Sequence, residues 1–123
     1  MSEETIKYYA VFANNRVRDK RNNPTIFRYY CPGAKLVKIS EHVKTFIYYC
    51  SATNSFDIHE VSTGVRIAGS DTVTEALKET AKFFKQANES FFLDQVRAIG
   101  VSFAHPEMSF SSAMEYLIMP VQS

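Results

Sequence analysis

The period of the apolar pattern changes once along this chain, and that change limits what it can fold into. Up to about residue 70, β-branched and aromatic side chains come in short runs bounded by polar, Gly or Pro clusters, as strands do. From Val73 onward, apolar residues recur at three- and four-residue spacing, as on amphipathic helices. Strands first and helices after is the order of an α+β domain. The expected fold is a mainly antiparallel sheet of about five strands in the N-terminal half, with two or three C-terminal helices packed on one face.

Strand candidates are residues 5–12, 25–31, 36–39, 43–51, 56–61 and 65–68. Between the last two, Ser62-Thr63-Gly64 offers a residue free to take positive φ, which predicts a hairpin. Val73, Ala76, Leu77, Ala81, Phe84 and Ala87 form one helical stripe, and Thr72 with Glu75 fits a capping box at its start. A second helical stretch spans about 89–99, ended by Gly100. A short strand is expected at 101–104. The tail reads as a helix carrying Phe110, Ala113, Met114, Leu117 and Ile118, with Ser112 and Glu115 as a further box.

At 123 residues the chain has the length of a single domain, 1–123, and burying roughly two thirds of its extended surface supplies a core. With 46% hydrophobic and 22% charged residues, and only four Gly and four Pro, it is neither disordered nor fibrous. Two cysteines, Cys31 and Cys50, are too few for a disulfide framework. The acidic start Met1-Ser2-Glu3-Glu4 lacks the basic and apolar opening of a signal peptide, so a cytoplasmic protein with reduced thiols is expected. No apolar run approaches the ~18 residues of a membrane span, and no membrane partner is expected.

Fourteen Lys and Arg stand against 13 Asp and Glu, which argues against coating by phosphate and confines any anionic contact to a local patch. Residues 1–60 hold nine basic and six acidic side chains and residues 61–123 hold five and seven, so the basic charge lies in the first half. It concentrates in the stretch 14–24, which carries Arg16, Arg18, Lys20 and Arg21 with one anion, Asp19, between turn-forming Asn and Pro. As a loop after the first strand, it is either a solvated hairpin tip or a clasp for phosphate, nucleic acid or an acidic surface, since Arg makes forked, charge-assisted hydrogen bonds to such groups.

Two segments echo each other nineteen residues apart, Phe27-Arg28-Tyr29-Tyr30-Cys31 and Phe46-Ile47-Tyr48-Tyr49-Cys50, with Lys7-Tyr8-Tyr9-Ala10 as a looser copy. Alternation puts Phe27, Tyr29 and Cys31 on one face of a strand, and Phe46, Tyr48 and Cys50 likewise. If the three strands are neighbours, the opposite face shows Tyr9, Tyr30 and Tyr49 flanked by Lys7 and Arg28, a stacking platform for bases. The plainer alternative is a face covered by the tail helix or by an identical subunit, and a homo-oligomer is expected on that ground.

Catalytic patterns are sparse. His42, His59 and His105 fall in no metal-ligand spacing, so no metal is expected. Asp57 and His59 share a strand face and are spaced for an acid/base pair, but nothing supplies a nucleophile or oxyanion donors. The glycine-rich cofactor fingerprints are missing, and no cofactor is expected.

Val61-Ser62-Thr63-Gly64-Val65-Arg66-Ile67-Ala68, followed by Thr74-Glu75-Ala76-Leu77, resembles the ββα unit of small antitoxins of the HicB type and of phage and plasmid domains. The likeness covers about a quarter of the chain, and the remainder departs from that pattern. It implies a mobile-element accessory protein. The functional expectation is a non-catalytic binding or interaction module that inhibits or sequesters a protein or a phosphorylated small molecule. The alternative is a nucleic-acid-binding protein using the tyrosine face and the basic loop.

Overall fold

A computed structural model describes residues 7–86 and 89–118. Six strands come first, β1 (Tyr9–Arg18), β2 (Pro24–Tyr30), β3 (Lys35–Val37), β4 (Thr45–Cys50), β5 (Ser55–Glu60) and β6 (Arg66–Ser70). Helices α1 (Val73–Gln86) and α2 (Glu89–Arg97), a 3-10 turn (Ser102–Ala104) and α3 (Phe110–Ile118) complete the chain. The α+β expectation holds, and the strands divide between two antiparallel sheets, β1-β2 and β3-β4-β5-β6. The start of the first expected strand at Thr5 and the Ala87 position of the helical stripe lie outside the described residues.

The alternation of β4 sets the layering. Phe46, Tyr48 and Cys50 enter one cluster with Ala10, Tyr29 and Cys31 from the hairpin sheet and Ala113 and Met114 from α3. Ile47 points the other way and packs with Ile58 and with Ala76 of α1. The hairpin sheet and α3 therefore lie on one face of the four-stranded sheet and α1 on the other. This two-sided burial explains why β4 reads as an almost unbroken apolar run. A third cluster joins Val43 to Phe92 and Val96 of α2, where Phe92 meets the edges of Phe83 and Phe84.

Polar joints hold the layers in register. The phenol oxygens of Tyr29 and Tyr48 hydrogen-bond across the two sheets inside the core. Burial drives the ionisation of both phenols far upward, so they remain neutral donors and acceptors. At the β5–β6 turn, the buried Glu60 carboxylate accepts from the Ser62 N–H at 2.6 Å and the Thr63 N–H at 3.1 Å, and from both hydroxyls. That turn presents Gly64 at φ 75°, and its carbonyl accepts from Val11 N–H at 3.0 Å. A Cβ on Gly64 would stand 2.5 Å from the Tyr9 carbonyl oxygen, so both the angle and the close approach require glycine.

The Thr72 hydroxyl accepts from Glu75 N–H at 3.1 Å, capping α1 where the sequence places its start. Two local expectations are corrected. Residues 101–104 form no strand: Ser102–Ala104 turns as a 3-10 helix, closed by Ala104 and His105 N–H bonds to the carbonyls of Val101 and Ser102. The cap of α3 is Ser109, whose hydroxyl accepts from Ser112 N–H, one turn before the expected box at Ser112.

Candidate functional site

The basic stretch 14–24 divides between strand and turn: residues 14–18 are the outer end of β1, residues 19–23 form the turn that holds Lys20 and Arg21, and Pro24 opens β2. The ladder runs from Tyr9↔Tyr30 to Asn14↔Thr25, slips, and resumes at Arg18↔Pro24, so Asn15, Arg16 and Val17 bulge from β1. Sequence propensity misses this extension because Asn and Arg are poor strand formers, and what carries the ladder past Phe12 is pairing with Thr25, Ile26 and Phe27. The buried Asn14 side chain accepts from Arg16 N–H at 2.9 Å. Tyr116 of α3 supports the bulge from beneath: its hydroxyl accepts from Asn15 N–H at 3.3 Å, and its ring lies 5.7 Å from the Arg16 guanidinium.

Residues 15–23 are all exposed, so the hairpin leaves the core as an arm. Its tip is shaped. The Asp19 carboxylate accepts from Arg21 N–H and Asn23 N–H, both at 2.9 Å, and Asn22 takes φ 65°. Arg18 donates to the Asn22 carbonyl at 2.7 Å across the turn. Among the described residues no ion pair engages Arg18, Lys20 or Arg21. Four cations and one anion give the arm +3, so the rest of a chain whose total is +1 carries −2.

The three-tyrosine face does not form. Tyr9 and Tyr30 are cross-strand partners in the hairpin sheet, but Tyr49 belongs to the other sheet, where it meets Phe56 at 5.2 Å and donates to Asn54 Oδ1. Alternation fixes which side chains share a strand face and leaves open which strands are neighbours. Arg28 is absorbed by the fold. Its guanidinium lies 4.7 Å from the Tyr9 ring and 5.3 Å from the Phe103 ring, donates to the His105 carbonyl at 3.0 Å and pairs with Glu107 at 3.5 Å. Main-chain bonds from Arg28 N–H to Pro106 and from Met108 N–H to Arg28 tie the same segment to β2. Phe103, 71% exposed, and Tyr116 are the side chains the sequence did not flag. Tyr116 sits three residues after the core position Ala113, a spacing that could have found it, whereas Phe103 lies in a stretch with no periodicity.

Asp57 and His59 lie inside. His59 stacks on Phe46 at 5.5 Å, and its Nδ1 bonds the Gly64 carbonyl at 2.7 Å, while Nε2 is buried with no hydrogen-bond partner among the described residues. Burial lowers its pKa to about 4, against the opposing pull of that carbonyl and of Asp57. Asp57 takes the Ser55 hydroxyl at 2.8 Å and pairs with Arg66 at 3.5 Å. Cys31 and Cys50 are buried free thiols, and burial pushes Cys31 up to about 12, away from the reactive thiolate. Among the described residues no three His, Cys, Asp or Glu side chains converge as a metal-ligand group, and no helix is long and apolar enough to cross a membrane.

No family model, curated protein or solved structure matches this chain. Of the residues likened to a ββα unit, 61–63 are the turn after β5, Arg66, Ile67 and Ala68 lie in β6, and Thr74, Glu75, Ala76 and Leu77 lie in α1.

Proposed function

We propose that this chain is a non-catalytic binding module that grips a partner rich in carboxylate or phosphate oxygens, such as an acidic protein or a phosphorylated ligand, and inhibits or sequesters it. The observation that carries the reading is the arm: residues 15–23 project as an exposed bulge and a hydrogen-bonded turn bearing Arg16, Arg18, Lys20 and Arg21. Guanidinium groups on a shaped scaffold make charge-assisted bonds without first paying to order a loop. The burial of Asp57 and His59 beneath the hairpin supports a role without chemistry, since neither side chain reaches a surface where substrate could sit. An accessory role of the phage or plasmid kind accords with the ββα likeness.

The test uses the protein as bait in native-host lysate beside a variant with Arg16→Gln, Arg18→Gln, Lys20→Gln and Arg21→Gln. The expected result is a protein or phosphorylated small molecule that the parent retains and the variant loses, at matching thermal stability. Identical retention by both would remove the arm from the function.

A further inference from the structure

We infer that the tip of the arm is a proteolytic processing site, cut between Arg21 and Asn22 by an endoprotease that reads paired basic side chains, and that the cut protein stays folded. The inference goes beyond the proposed function and does not rest on what the arm binds. Its first ground is the spacing of charge along the chain rather than its sum. Lys20-Arg21 is the one adjacent pair of basic residues in the sequence, and Arg18 stands two positions before Lys20. Endoproteases that cut after a basic residue seat that side chain over a carboxylate, in a pocket beside the scissile bond. Drawn out as a strand, this segment sends Arg21 to one side and Arg18 and Lys20 to the other, so three acid-lined pockets together select a single bond.

The second ground is that the bond can be drawn out without disturbing the core. Residues 15–23 are all exposed, and past Asn14↔Thr25 the ladder is the single pair Arg18↔Pro24. The turn closes on itself. Asp19 N–H bonds the Asn23 carbonyl at 2.9 Å, Asn22 N–H bonds the Asp19 carbonyl at 3.0 Å, and the Asp19 carboxylate holds the Arg21 and Asn23 N–H groups. Among the described residues none of these bonds leaves the tip, so opening it is a local event with Asp19 as the latch. Basic residues elsewhere are single, and regular structure holds Arg28 and Arg66 in strands and Lys78, Lys82 and Lys85 in α1.

The third ground is that the two strands are anchored separately. Ala10 is buried in the core, and Val11 N–H bonds the Gly64 carbonyl, which fixes β1. Tyr29 is bonded to Tyr48, and Arg28 N–H bonds the Pro106 carbonyl, which fixes β2. Below the cut the strands remain paired from Tyr9↔Tyr30 to Asn14↔Thr25. Hydrolysis adds one water across the amide: the Arg21 carbonyl carbon takes the hydroxyl and ends as a carboxylate, and the Asn22 nitrogen takes the proton and ends as an amine. A fixed turn thereby becomes two short tails on an intact root.

Timed digestion of the folded full chain tests this, with trypsin and a paired-basic-specific endoprotease as the two probes, read by intact mass and by size exclusion. Trypsin should cut first within 16–21 and the second enzyme only after Arg21. Fragments 1–21 and 22–123 should elute together until denaturant is added. Arg21→Gln should abolish the second enzyme's cut, and Arg18→Gln should slow it at least about three-fold. Asp19→Ala removes the latch and should speed it at least about three-fold. Tyr48→Phe, which weakens the whole fold, should leave the rate within about two-fold, whereas a cut that needs global unfolding would quicken at least about five-fold.

A first tryptic cut outside 16–21, a native chain that the second enzyme leaves whole, acceleration by Tyr48→Phe, or fragments that separate in native buffer would each overturn the inference. None of these outcomes touches the lysate test of the arm's grip, which uses the uncut chain.

Discussion

The two halves of one hairpin behave as different materials. At its root, Ala10, Phe12, Tyr29 and Cys31 face the core, and every residue from Tyr9 to Asn14 has a cross-strand partner. Beyond Asn14 the first strand bulges, the hairpin loses the core, and β1 and the turn carry cations instead. A ladder needs apolar burial to stand alone, and the outer half borrows its order from the inner half, from Tyr116 and from its own turn. Stability therefore resides at the root and recognition at the tip, so the two can be perturbed separately.

The sharpest break of that division is Phe46→Ala. Phe46 is fully buried between Tyr8 and His59, and truncation should cost about 3–5 kcal/mol, read as a lower denaturant midpoint. A cost below about 1 kcal/mol would show that the root does not depend on this packing.

Acid should act on the root almost as strongly. In the unfolded chain His59 takes up a proton near 6.5, whereas in the folded chain it does so only near 4. The unfolded state thus binds more protons between these values. Stability is full above about pH 6.5, falls as pH drops toward 4 by about 3 kcal/mol, and takes no further loss from this group below that. Asp57 and Arg66 are the charged groups acting on the ring, and Asp57 opposes the shift. Denaturation of the parent and of His59→Gln across this window checks the assignment: the variant should lose about one proton's worth of slope. An unchanged slope would place the acid sensitivity elsewhere.

Smaller is the contribution of the cross-sheet phenols. Tyr48→Phe leaves the buried Tyr29 hydroxyl without its partner, at about 1–3 kcal/mol, while the double change to Phe at both positions should recover part of that loss. Additive losses would mean that the two hydroxyls are not coupled. The least effect is expected at the tip, where the four Gln replacements on the arm should shift stability by no more than about 0.5 kcal/mol each.

Local chemistry was the legible part of this fold. Thr72 marks its helix, Gly64 its turn, and the spacing of Phe46, Tyr48 and Cys50 the buried side of its strand, because each depends on residues within a few positions. What alternation does not encode is which strands meet. Tyr49 has the same local pattern as Tyr30, and only the partition into two sheets separates them. The extension of β1 through Asn14 was hidden for a related reason, since its support comes from Thr25 and, past the ladder, from Tyr116, about a hundred residues away. Arg28 reads as a surface cation until the segment carrying Phe103, His105 and Glu107 folds over it. The apolar side chains on both strand faces, which raise the expectation of an oligomer, find cover within one chain, under α1 and α3.

The hairpin's edges are treated differently along their length. At the root, β2 is bordered by the main chain of Pro106 and Met108, and β1 by the Gly64 carbonyl. Among the described residues no main chain borders the arm in this way, and unpaired strand edges invite like strands from other molecules to add on. Four like charges at close spacing keep two arms apart, so the residues that attract a partner also guard against aggregation. Replacing them with neutral β-formers such as Val or Thr would turn a guarded ribbon into a template for strand exchange between copies.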